Sequence, residues 1–185
     1  MGSSRNKALL VIVLLLSWGC GVYSFRGNLP SHINSVVVIP VINQTAEFQV
    51  AELTTEMVLD LLIKENVLRV TNSGDADSDL RITITRVKDS PATYDADETV
   101  LEWRIDIYTK VVWYDLDRNK ALFEKNMSGF GYYPPGGDIG SDDIDNDDDG
   151  EIDEDDEFGD PRVFAIRTAI TKISEDILNE VVATW

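Results

Sequence analysis

The sequence predicts an α+β fold, with two amphipathic helices packed on one face of a mostly antiparallel sheet of four to five strands. Three observations carry that expectation. The run Val36–Ile39 is continuously β-branched, as in a strand buried on both faces. From Leu101 to Tyr114 the chain alternates: Leu101, Trp103, Ile105, Ile107, Thr109, Val111 and Trp113 fall on one face, with Glu102, Arg104, Asp106, Tyr108, Lys110 and Tyr114 on the other. Two segments switch to helical period, one after Asn43 and one at the C-terminal end.

The elements follow in the order β-α-β-β-β-β-α. Pro40 cannot donate to a ladder, so the first strand ends or lies at an edge there. Val50, Leu53, Met57 and Leu61 form the apolar stripe expected of the first helix. Thr45 is its expected N-cap, Glu47 favours its start through the helix dipole, and Asn66 can close it in the left-handed region. The segment Val67–Val70 is a short strand. In Leu80–Val87, Leu80, Ile82 and Ile84 alternate with Arg81, Thr83 and Thr85. Asp115–Lys120 has the composition of a hairpin turn, and Ala121–Tyr133 returns as its partner strand. The last helix has Asp160 as cap, Pro161 at the first helical position, and Val163, Ile166, Ile170, Ile173, Ile177 and Val181 as its stripe. No internal repeat interrupts this order, and 185 residues suit one domain.

The net charge of −18 argues against a nucleic-acid partner. Fourteen acids and no bases fall within 138–160, which leaves the rest of the chain only −4. One insert between the last strand and the last helix therefore produces the acidity. Catalysis is not expected. His32 is the lone histidine and reads as a loop or packing residue, and the sequence has no nucleophile elbow, phosphate-cradling glycine loop or zinc spacing.

Cys20 is the single cysteine, so it has no disulfide partner within the chain. It follows a basic start (Arg5, Lys7) and a short apolar run, the pattern of a secretory signal over 1–19. Such a run is shorter than the ~20 residues of a membrane span. Three readings stand. Cys20 is the lipidated first residue of a bacterial lipoprotein, a membrane anchor; or an ordinary signal is cut nearby; or Cys20 is a buried cysteine. Gly21 after the cysteine, rather than aspartate, suits outer-membrane sorting on the periplasmic side.

The acidic insert holds one spaced pattern. Asp145, Asp147, Asp149, Gly150, Ile152, Asp153 and Asp156 occupy positions 1, 3, 5, 6, 8, 9 and 12 of an EF-hand-type calcium loop, with the Glu151 carbonyl at position 7. Side chains at 1, 3 and 5 converge on one ion as the chain curls, and Gly150 permits the sharp turn. Asp156 is one methylene shorter than the usual bidentate glutamate. The alternative is a plain disordered acidic tract. Ca2+ is the cofactor expected if the loop forms, and no organic cofactor is expected.

Further along, the mature N-terminus "CGVYSFRGNLPSHINSVVVIPVINQTAEFQVAELTTEMVLDLLIKENVLRV" resembles the LptE family of lipopolysaccharide-assembly lipoproteins. So do the later segments "DADSDLRITITRV" and "YDADETVLEWRIDIYTKVVWYDLDRNKALFE" and the terminal helix. The resemblance covers most of Cys20 to Trp185 and excludes Asp138–Asp160. It implies a two-helix α+β fold anchored in the outer membrane through Cys20. It also implies a partner, an LptD-type β-barrel that the lipoprotein plugs while lipopolysaccharide is delivered to the surface. A first strand of the form "VVVIPVIN" followed by a helix also resembles envelope lipoproteins of the CsgG, TolB N-terminal and LpoB kind. A calcium-dependent surface-binding module is a third reading.

Overall fold

The computed structural model describes residues 30–72, 74–136 and 160–183. Its elements are β1 (Ser35–Val38), β2 (Ile42–Asn43), α1 (Val50–Glu65), β3 (Arg69–Val70), β4 (Ser78–Tyr94), β5 (Val100–Asp115), β6 (Lys120–Tyr133) and α2 (Pro161–Ala183). The α+β class holds: two helices pack against an open, mixed sheet that is mostly antiparallel. Six strands take part, in the order β3-β1-β4-β5-β6, with β2 beside β4. The expected four to five becomes six through β2, only two residues long, while β3 is the short strand expected within Val67–Val70. The antiparallel part is the β4-β5-β6 ribbon, whereas β1 runs parallel to both β3 and β4.

One core lies between the sheet and the helices. Ile82 and Ile84 of β4, Ile105, Ile107, Val111 and Trp113 of β5, and Ile170, Ile173 and Ile177 of α2 are all essentially inaccessible. The alternation of β5 therefore holds from Ile105 to Trp113. It fails at Leu101, which is 54% exposed, because the β4–β5 hairpin runs beyond the end of β6: Tyr133 pairs with Trp103.

Helix α2 lies directly on β6. A Cβ on Gly129 would overlap the Ala169 carbonyl oxygen, and one on Gly131 the Ala165 carbonyl oxygen. Ala165 and Ala169 are therefore part of the buried stripe, and Val163 is only half-buried, against expectation. Asp160 caps as expected: its Oδ1 accepts from Arg162 N (2.9 Å), and Pro161 opens the helix.

Helix α1 differs from expectation at its start and on its stripe. Its N-cap is Gln49, with no side-chain cap bond. Asn43 instead organises the preceding turn. Its Oδ1 accepts from Thr45 N (2.9 Å) and Thr45 Oγ1 (2.8 Å), and its Nδ2 donates to Glu47 O (2.6 Å). Thr45 therefore belongs to an Asx-type turn, and its Oγ1 accepts from Glu47 N (3.3 Å), ahead of the helix and not at its N-cap. The buried stripe is Val50, Thr54, Val58 and Leu62: Val50 holds as expected, but beyond it the stripe lies one residue round from the expected Leu53, Met57 and Leu61, which are half-buried. Thr54 is tolerated inside because its hydroxyl donates to Val50 O (2.6 Å). Asn66 closes the helix as expected, with φ 49° and its N–H bonded to Leu62 O (3.1 Å).

Candidate interaction surfaces

Two ends of the molecule and one face of the sheet carry most of its polar side-chain structure. At one end, His32 Nε2 lies 2.7 Å from Asp115 Oδ2, and Asp115 also accepts from Arg118 N (2.9 Å). Burial pushes the Asp115 carboxyl up, but those donors outweigh it and hold it below the usual carboxylate range. Asp77 beside it accepts from Asn34 N and Ser35 N (both 2.9 Å) and from Ser35 Oγ (2.8 Å); the Asn34 and Ser35 bonds likewise hold it low. His32 is thus a packing residue that fixes the start of β1 to the β5–β6 hairpin.

The opposite end holds the two attachment points of the acidic insert. Arg162 donates to Glu47 (2.8 and 3.2 Å) and to Asp89 (2.9 and 3.0 Å), and Tyr133 Oη donates to the same Asp89 (2.6 Å). Burial raises the Asp89 carboxyl, and the Arg162 and Tyr133 bonds lower it further than burial lifts it. Burial and the Asp89 carboxylate push the Tyr133 hydroxyl up to about 12. This cluster ties the end of β6 to the start of α2 through β4. Trp103, the partner of Tyr133, lies twelve residues along β5 from Asp115. The two ends are therefore about 40 Å apart at ~3.3 Å per strand residue.

The sheet face away from the helices carries paired cations and rings. Arg81 lies over Tyr114 (4.9 Å), Arg86 over Tyr108 (4.1 Å) and Arg104 over Phe130 (4.1 Å), with Phe130 edge-on to Tyr132 (5.6 Å). Arg104 is also bonded to Asp106 (2.7 Å) and Lys110 to Glu124 (2.6 Å). Among the described residues Arg86 and Lys88 have no carboxylate partner. Thr85, Arg86, Tyr108 and Asn126 line an open cleft of about 430 Å³ on this face. It forms where β4 bulges between Ile84 and Arg86. A second cleft, of about 580 Å³, has Val41 and Leu59 on its floor and Glu52, Glu56 and Asp60 on its rim.

Cys20 and the loop residues Asp145, Asp147, Asp149, Glu151, Asp153 and Asp156 lie outside the described residues, as does the 1–19 segment. Among the described residues no group of three or more His, Cys, Asp or Glu side chains could hold a metal ion. No described helix is long and apolar enough to cross a membrane. Sequence reasoning did not find Arg162 or the arginine–ring pairs, because the first depends on how α2 docks on the sheet and the second on strand register.

The class that this arrangement defines is a two-layer α+β domain with one sheet face left open. No family model and no curated protein matches the sequence. Solved structures do match. Protein CT253 from Chlamydia trachomatis matches with a TM-score of 0.52 and 14% identity, over 82% of this chain and 99% of its own. Protein XCC0632 from Xanthomonas campestris matches with a TM-score of 0.50 and 9% identity, over 84% and 89%. The rare lipoprotein B from Shewanella oneidensis matches more loosely, with a TM-score of 0.44 and 14% identity, over 82% and 96%. At these identities the first two likenesses show the fold alone, and the third carries no argument.

Proposed function

We propose that the chain is a bacterial envelope lipoprotein. Cys20 anchors it by lipid to the periplasmic side of the outer membrane. It assists lipopolysaccharide assembly by binding an LptD-type β-barrel through the open face of its sheet. The observation that carries this is the face itself. Arg86 over Tyr108 and Arg104 over Phe130 offer paired cations and rings to a macromolecular partner, and the core behind them needs neither. An anchor at Cys20 suits the geometry. The ten residues to Pro30 span at most ~35 Å when extended, and they lead to the His32 end. The acidic insert is attached at the other end. The test is crosslinking and affinity purification of the native protein from membranes. A large β-barrel is expected, with recovery at least about tenfold lower for the Arg86→Ala/Tyr108→Ala double variant. Recovery of a peptidoglycan synthase or a self-assembled ring would replace this reading with the CsgG, TolB or LpoB kind.

The insert is read as a calcium loop spanning Asp145–Asp156, with affinity in the ~10⁻⁴–10⁻³ M range of extracellular modules. Fourteen acids without a base repel one another, and a bound divalent ion relieves that repulsion. Added calcium is expected to slow proteolysis within 143–157. Cleavage that proceeds equally in calcium and in chelator would leave the segment a plain acidic tract.

A further inference from the structure

A terminal strand presents a row of backbone N–H and C=O groups that can pair with another chain. Native proteins blunt such edges with shortness, proline, charge or bulges. Two edges of this sheet are blunted. β3 is two residues long. Beyond the pairing of Asn43 with Ile84, the free side of β4 contains Pro91, Lys88 and three register shifts. β6 is different. Among the described residues it pairs only with β5, and eleven consecutive pairs, from Trp103–Tyr133 to Trp113–Phe123, run without a shift or a proline. Its charged residues on that stretch are already matched, Glu124 to Lys110 and Lys125 to Glu180.

The helix above β6 limits what can pair there. Gly129 and Gly131 seat α2 directly over this strand. A second copy adding its own β6 would bring its own α2 to within one strand spacing, ~4.8 Å, where helix axes need ~8–10 Å. The occupant is therefore a lone extended segment. Its outer side chains would stand beside Phe130 and Tyr132, which are 43% and 47% exposed, and these favour β-branched or aromatic neighbours. The excess of acids that remains outside 138–160, a net −4, favours a segment flanked by Lys or Arg.

We propose that β6 is a strand-acceptor edge, which takes an extended, alternating segment of another polypeptide as an added strand along Phe123–Tyr133. This stands apart from the barrel reading, since it rests on the sheet edge and not on the open face. The probe is the peptide Lys-Thr-Val-Thr-Val-Thr-Val-Thr-Lys, added to the full chain in detergent and followed by hydrogen exchange. At ~1 mM peptide, exchange in 123–133 is expected to slow by about tenfold while 85–94 is unchanged. Peptides N-methylated at alternate residues, which lack the donors of one pairing edge, are expected to lose that effect in one of the two frames. Three results would overturn the proposal: no slowing in 123–133, equal slowing with both N-methylated peptides, or concentration-dependent protection of β6 without peptide. The last would mean that a second copy fits after all.

Discussion

The two faces of the sheet are built to different rules. On the inner face, Ile105, Ile107, Val111 and Trp113 are shut away under the helices. On the outer face of the same strand, Arg104 lies over Phe130, Tyr108 lies under Arg86, and Lys110 pairs with Glu124, each across strands. One strand thus serves stability on its odd positions and carries the proposed recognition surface on its even positions. The lesson is that changes to the inner face should unfold the protein, and changes to the outer face should alter only what it binds.

Three variants break or sharpen this contrast. The largest effect is expected at Gly131→Val. The added atoms meet the Ala165 backbone of α2, and overpacking of this kind costs about 3 kcal/mol or more. Urea unfolding measures it, and a loss under ~1 kcal/mol would mean that α2 can lift off β6.

Arg162→Met comes next, with a loss of about 1–2 kcal/mol at pH 7, because it leaves Glu47 and Asp89 part-buried without their cation. Its pH dependence identifies the cause. The Asp89 carboxyl titrates lower in the folded chain than its unfolded value of about 3.9, so the stability it contributes is full above that value. It is lost as pH falls through the folded value. The gap between wild type and Arg162→Met should therefore narrow in acid, and a gap unchanged between pH 7 and pH 3 would remove Asp89 from the account.

The smallest effect belongs to the Arg86→Ala/Tyr108→Ala double variant. An exposed cation–ring pair contributes ~0.5–1 kcal/mol, and a melting temperature close to wild type is expected. Unfolding of this variant would show that the outer face also holds the sheet together.

Much of the inner face was legible in the sequence, because burial imposes a period. The alternation of β5, the left-handed Asn66 and the Asp160–Pro161 start of α2 all fell where local rules put them. The start of α1 did not, since Asn43 captured Thr45 in a turn. Nor was the length of β4 legible. Pro91 argues against a strand, yet it is tolerated where β4, among the described residues, has no partner on its free side. The contact of α2 with Gly129 and Gly131, and the Arg162 cluster, join residues far apart in the chain and leave no local pattern. The lipidation and calcium-loop residues fall outside the described parts.

The bonds of Tyr133 and Arg162 to one carboxylate, Asp89, have an evolutionary consequence. They fasten the chain on both sides of the acidic insert, so the domain closes beneath it whatever lies between. Doubling the length of a flexible connection at such a point costs only ~0.6 kcal/mol. This corner of the domain is therefore a grafting port, where new sequence can be gained, lost or rewritten while the rest of the molecule stays the same.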